Sequence, residues 1–257
     1  IWIGTATVNV YALRPGKKEF EAMKLFEGFT FVPGLAMMDN RRLMVTGFYQ
    51  PIKHIDIENL ATGTADIAEE DLKACIRRSV FVPTALYKDT YGILWIGTIS
   101  NGLMCYHPET GRMTPMPGTS CLDISGIEED LQGNLWISTQ YGLSKYDRTA
   151  GRFTNYYAAD GIGGNQFYDR ASCRLPDGTL AFGGTHGLTL FNPIDVPIKR
   201  SIPLLFSDLK IHNKLIRPQL HGETIGKHLS YCPDIHLEHD QNSFSISFSA
   251  LNYSEYG

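Results

Sequence analysis

The sequence lacks the features that would place it in several large classes of protein. No apolar run approaches the roughly 20 residues that a membrane-spanning helix needs, and no charged-then-apolar signal segment opens the chain. Strong charge of one sign is also missing, since 23 Lys and Arg against 27 Asp and Glu give a net charge of −4. We therefore expect no basic surface for nucleic acid.

Cysteine is scarce and has no metal-like spacing. The five cysteines form no C-x-x-C pair: Cys75, Cys105, Cys121, Cys173 and Cys232. Their odd number leaves at least one thiol unpaired within the chain, and their scatter predicts small apolar side chains in strands rather than a zinc site.

Catalytic motifs are absent as well. The sequence contains no G-x-S-x-G, H-E-x-x-H, P-loop or Rossmann fingerprint. His236 and His239 would face opposite sides of a strand, so a metal site there is not expected. We predict no catalytic residue, no metal and no cofactor in this chain.

The sequence is rich in turn formers and aromatic residues. It has 25 Gly, 13 Pro, 13 Tyr and 13 Phe, while only 19% of its residues are charged. This composition is typical of many short strands joined by tight turns, and it predicts an all-β fold.

A repeated pentapeptide organises the chain. It occurs as Ile1–Thr5, Leu94–Thr98 and Leu135–Thr139, with weaker copies at Leu43–Gly47 and Leu180–Gly184. The copies begin 42, 51, 41 and 45 residues apart, which is close to the period of a four-stranded β-propeller blade. We predict five blades that form the C-terminal part of a propeller of about seven blades.

Aromatic residues and glycines recur at fixed positions in the repeat, and we interpret them as structural. Trp2, Trp95, Trp136 and Phe182 are expected to pack between blades rather than to stack on a ligand. A downstream glycine is expected to supply a turn with positive φ in three units, as Gly102, Gly142 and Gly187. The small residue after Trp-Ile is expected to let the neighbouring blade approach closely.

One interval is longer than the others. Residues 65–78 lack strand alternation and fit a short helix, and such an insertion is equally consistent with a functional loop and with a neutral addition.

The repeat ends after Pro193, and Pro197 and Pro203 mark a linker. Beyond it Leu204–His212 is expected to be a strand, and the alternation of Phe244, Ile246 and Phe248 with serines predicts a half-buried antiparallel strand. We predict propeller blades over residues 1–196 and the start of a truncated β-sandwich over residues 197–257.

These motifs resemble a known family. The unit D-x-x-G-x-L-W-I-G/S-T followed by G-L-x-x-Y, at Asp89–Tyr106 and Asp130–Tyr146, resembles the two-component-regulator propeller repeat. Residues Leu204–Asn213 and Gln241–Tyr253 resemble the first half of the immunoglobulin-like Y_Y_Y domain. Together they are similar to the periplasmic sensor region of Bacteroides-type hybrid two-component systems, in which two propellers and the Y_Y_Y domain precede a membrane span and a histidine kinase.

The resemblance implies a function and partners. It implies a periplasmic, homodimeric detector of oligosaccharides, tethered to the inner membrane in the parent protein and signalling to a histidine kinase that controls polysaccharide-utilisation genes. The kinase itself lies outside this chain. Two alternatives stay open: a propeller enzyme, such as a glycosidase or a polysaccharide or streptogramin-type lyase, and a protein-interaction scaffold.

Sugar recognition requires aromatic faces together with amide, carboxylate and arginine groups, which a propeller presents in its loops. The loop residues with this composition are our candidate ligand contacts: Gln140, Tyr141, Asn165, Gln166, Tyr168, Asp169, Arg170 and His186.

Overall fold

The computed structural model describes residues 1–5, 9–26, 31–65, 67–76, 80–197, 204–216, 229–231 and 234–250. Its contacts divide the chain into two units, Ile1–Pro197 and Ile198–Gly257. Within the described ranges, no helix has the length and apolar character needed to span a membrane.

The first unit consists of antiparallel sheets in which consecutive strands are neighbours. The first sheet contains β1 (Trp2–Gly4), β2 (Asn9–Ala12) and β3 (Glu21–Lys24). The second contains β4 (Gly34–Met37), β5 (Arg42–Thr46), β6 (Lys53–Asp56) and β7 (Thr62–Thr64). The third contains β8 (Pro83–Lys88), β9 (Leu94–Thr98), β10 (Leu103–His107) and β11 (Arg112–Met116).

Two more sheets follow in the described residues of this unit. The fourth contains β12 (Ile124–Glu129), β13 (Leu135–Thr139), β14 (Gly142–Asp147) and β15 (Arg152–Tyr156). The fifth contains β16 (Phe167–Arg174), β17 (Leu180–Gly184) and β18 (Gly187–Phe191). All five copies of the pentapeptide form strands, and the predicted all-β propeller blades are confirmed.

The sheets pack against one another through their early strands. Ile124 and Ile127 of the fourth sheet share one buried cluster with Trp95 and Ala85 of the third. The Thr84 hydroxyl donates to the Ile124 carbonyl, and the Ser125 hydroxyl donates to the Phe167 carbonyl at 3.1 Å. Both faces of the Leu-Trp-Ile strands are therefore covered, which explains their unbroken apolar sequence.

The repeated aromatic residues lie at contacts between neighbouring sheets. The Trp95 ring centre is 5.8 Å from that of Tyr146 in the fourth sheet, and Trp136 is 4.7 Å from Phe191 in the fifth. Phe182 is fully buried, and Trp2 is partly buried against the cluster that contains Val32. The downstream glycines have positive φ angles: Gly102 80°, Gly142 104° and Gly187 96°.

Arg148 joins the third and fourth sheets. It donates to the Asp89 carboxylate at 2.7 Å and to the Gly133 carbonyl at 2.9 Å. Its guanidinium carbon lies 4.5 Å from the ring centre of Tyr91. Since Asp89 is almost fully buried, this bridge compensates a carboxylate that has lost its water.

The long interval contains the predicted helix, α1 (Glu69–Cys75). Cys75 is fully buried in a cluster with Met104 and Met113, and the Met113 amide donates to the Asp71 carboxylate at 3.0 Å. The helix thus covers the outer strand of the third sheet. The insertion has a structural role there, whatever else it does.

The second unit contains a three-stranded sheet. Its strands are β19 (Leu204–Ile211), β20 (Lys214–Ile216) and β21 (Phe244–Ala250), with β19 in the centre. The predicted strands are present, but the predicted half-burial of β21 is wrong: Phe244, Ile246 and Phe248 are all exposed. The core of this unit, within its described residues, forms instead around Leu209, Ile211 and Leu229.

Candidate functional site

The candidate residues meet where the fourth and fifth sheets adjoin. Gln140 and Tyr141 follow β13, Asn165 and Gln166 precede β16, and His186 lies in the turn between β17 and β18. The structure therefore brings together loop residues that are up to 46 positions apart in the chain.

Two glutamines connect these loops. The Gln166 amide donates to Oε1 of Gln140 at 3.0 Å. Nε2 of Gln140 in turn donates to the Ser125 hydroxyl and the Phe167 carbonyl, both at 3.0 Å. This network fixes the Gln140 amide, while Gln166 is exposed and its side-chain oxygen accepts no hydrogen bond from the described residues.

Asn165 supports the loop and is largely occupied by the backbone. Its Oδ1 accepts from the Ala158 amide at 2.7 Å, and its carbonyl accepts from the Gly142 amide at 2.6 Å. His186 is exposed, with Nδ1 3.0 Å from the Thr185 hydroxyl. A Cβ at Gly164 would lie 2.7 Å from that ring nitrogen, so a larger residue at Gly164 would displace His186.

Exposed tyrosines follow each glutamine in the chain. The Tyr141 side chain is 57% exposed, and its ring centre is 5.6 Å from that of Tyr157. Tyr168 is 59% exposed. Exposed tyrosines beside fixed amides are the groups that stack on a sugar ring and bond to its hydroxyls.

Tyr168, Asp169 and Arg170 occupy an irregular part of β16. The register with β17 shifts between Phe167 and Ser172, so these three residues form no ladder pairs. All three are exposed, and Arg170 has a φ of 60°, which is unusual for a non-glycine residue. Among the residues that the structure describes, none forms a hydrogen bond or ion pair with the Arg170 guanidinium.

Arg170 also lines a cavity of 210 Å³ among the first strands of the sheets. We call this cavity the inner-strand pocket; it is further lined by Tyr87, Ile127, Glu128 and Ser172. The Ser172 hydroxyl donates to Glu128 at 2.8 Å. Burial raises the pKa of Glu128, against the hydrogen bond from Ser172 and the charge of Arg174. Burial also raises the pKa of Tyr87 to about 12.

Sequence reasoning singled out Arg170 but missed Tyr87 and Ser172 as its neighbours. They lie on the first strands of two different sheets, β8 and β16. The repeat period identifies those strands, so matching positions in successive repeats could have grouped them.

No protein-family model matches the sequence. Over 159 residues, the chain is 26% identical to histidine kinase P4 of Formosa agariphila, a match that covers 61% of this chain and 12% of that protein. The chain thus spans a small part of this relative.

Two solved structures share the fold. The extracellular domain of BT4673 from B. thetaiotaomicron, described as a candidate one-component system, superposes with a TM-score of 0.56 at 19% identity, covering 99% of this chain and 34% of that one. The structure of YCF48 bound to D1 peptide gives a TM-score of 0.53 at 12% identity, covering 82% and 67%. The predicted resemblance to sensor regions is confirmed at the level of fold.

Proposed function

We propose that this chain is the periplasmic ligand-sensing region of a membrane-tethered two-component histidine kinase, and that its ligand is an oligosaccharide. The observation that carries the proposal is the bonded pair Gln140–Gln166, with the exposed tyrosines Tyr141 and Tyr168 close to it in the chain. The similarity to a histidine kinase and the shared fold of an extracellular sensor domain support the signalling context.

The arrangement of Gln140, Gln166 and Tyr141 is suited to a neutral, hydroxyl-rich ligand. Gln140 forms three hydrogen bonds, one of which it accepts from Gln166. Because Gln140 is fixed, it also orients the Gln166 amide before a ligand binds. Tyr141 provides apolar area at small entropic cost, since it has few rotatable bonds. Binding across the loops of two adjacent sheets would bias the relation between protomers of a homodimer and thereby the kinase.

Titration calorimetry of the purified protein with oligosaccharides from host and plant polysaccharides tests this proposal. We expect saturable heat at fixed stoichiometry with the sugar recovered intact. Tyr141→Ala should weaken binding at least tenfold, whereas Tyr49→Ala, which removes another exposed tyrosine from the segment between β5 and β6, should leave it unchanged. Cleaved product would favour the enzyme alternative, and no heat across the panel would contradict the proposal and favour a protein partner.

A further inference from the structure

We propose that the inner-strand pocket binds one anionic sugar ring, carrying a carboxylate or a sulfate, with Arg170 as the receptor of the anion. This inference rests on the proposed function and adds to it the charge of the ligand. The glutamine pair contacts the neutral part of the saccharide, and the pocket takes its charged end.

The size of the pocket limits what it can hold. Its volume of 210 Å³ is below the roughly 300–1,000 Å³ of pockets that enclose a drug-sized ligand. A single ring or end group fits this space, while a longer chain has to continue outside it. Phe167 lies three residues before Arg170 on β16 and accepts from Gln140, so the pocket and the glutamine pair share a strand.

The charges of the pocket favour an anion. Arg170 carries a permanent positive charge and has no bonding partner among the described residues. Glu128 is the single carboxyl group in the described lining, and it is bonded to Ser172. Burial raises the pKa of this carboxyl group, while the hydrogen bond from Ser172 and the charge of Arg174 act in the opposite direction. A guanidinium binds carboxylate or sulfate through two parallel hydrogen bonds, and Tyr87 and Ser172 line the same pocket.

The backbone of Arg170 gives a second indication. A residue with φ near 60° costs folding free energy unless it is Gly, Asn or Asp, and such strain is concentrated at binding sites. Arginine therefore occupies a position where asparagine would have a lower conformational free energy. An arginine at such a position is expected if its guanidinium binds a ligand.

The test compares sugars and variants by calorimetry of the purified protein. The probes are glucuronate, glucose 6-sulfate and neutral glucose, each alone and in competition with any oligosaccharide that binds. We expect one of the two anionic sugars to bind at least tenfold more tightly than glucose, and the stronger of them identifies the anion. Arg170→Asn should reduce that affinity at least tenfold without lowering the melting temperature, because Asn tolerates this backbone conformation.

Arg152→Asn is the matched control, since it removes the same charge from an exposed residue of β15 outside the pocket; it should retain binding. Equal affinity for glucose and both anions, or unchanged binding by Arg170→Asn, would overturn the inference. If neutral oligosaccharides still bind and depend on Tyr141, the proposed function stands while this inference fails. If no saccharide binds, both fail.

Discussion

The indole Nε1 of Trp136 donates a hydrogen bond to the carboxylate of Asp130 at 2.9 Å, six residues earlier in the chain. Trp95 and Asp89 form the same pair at 2.8 Å. The remaining carboxylate oxygen of Asp130 accepts backbone amides of the intervening turn, from Gln132 and Asn134. One aspartate thus holds a hairpin and satisfies a buried indole, which explains the spacing of the D-x-x-G-x-L-W motif.

The two members of this pair are lost together in the weaker repeats. Where Ala181 replaces the tryptophan, Leu175 stands in place of the aspartate. Met44 is likewise preceded by Met38. This correlation is expected because a buried carboxylate without its donors costs free energy.

A double-mutant cycle on the pair tests their energetic coupling. Trp136→Phe and Asp130→Ala should together destabilise the protein less than the sum of the single changes, by about 1–2 kcal/mol, because either change alone already removes the bond. Urea unfolding measures the free energy of unfolding of each single variant and of the double variant. As a control, Trp136→Phe is combined with Asp177→Ala, which changes an exposed aspartate in another hairpin. The losses of stability from these two changes should add. Additivity of the first cycle would show that the bond contributes nothing to stability.

Gly97 permits close contact between the third and fourth sheets. A Cβ at this position would lie 2.8 Å from Cβ of Ile124 and closer still to Cγ2. We expect Gly97→Ala to destabilise the protein by about 1–3 kcal/mol, since the sheets have to separate. Ser138→Ala, at the matching position of the next repeat, adds no overlap and should have a smaller effect. Thermal unfolding compares the two variants.

The thiols should react in the order of their exposure. Burial raises the pKa of both Cys75 and Cys105 to about 11, so at pH 8 only about a thousandth of either is thiolate. Cys173 is exposed and Cys121 is partly exposed. With Cys232, which lies outside the described residues, changed to Ser, we expect a thiol reagent to label Cys173 first and then Cys121. Labelling of Cys75 before unfolding would contradict the packing of α1, and labelling of Cys105 would contradict the packing of the third sheet against the fourth.

Glu128 should make stability depend on pH. Burial raises its pKa in the folded protein above the ordinary value of 4.5, so between these two values the folded state binds more protons than the unfolded state. This contribution is therefore most favourable below pH 4.5 and is lost as the pH rises through the folded pKa. Glu128→Gln removes it.

Urea unfolding at pH 4.5 and 7.5 measures this effect. Relative to wild type, Glu128→Gln should gain stability on going from the lower to the higher pH. Glu109→Gln, which changes an exposed glutamate, should show no such gain. A pH response equal in the two variants would mean that Glu128 is not desolvated in the folded protein.

The repeat made most of the fold predictable, whereas the candidate site was predictable only in part. Strand β13 begins and ends where the pentapeptide does, because strand length and turn chemistry are local properties. The exposure of Phe248 could not be predicted, since burial depends on which elements cover a sheet. The irregular register that leaves Arg170 unpaired depends on pairing with β17 and is likewise not encoded locally.

The helix α1 has a consequence for self-association. An outer strand with free amides is a template on which a second chain can add a strand, and this is a common route to aggregation. On the third sheet, the Asp71 carboxylate of α1 accepts a hydrogen bond from the Met113 amide of β11. The insertion therefore shields that strand from pairing with a strand of another molecule. A longer interval in the repeat thereby protects the protein against intermolecular strand addition at this blade.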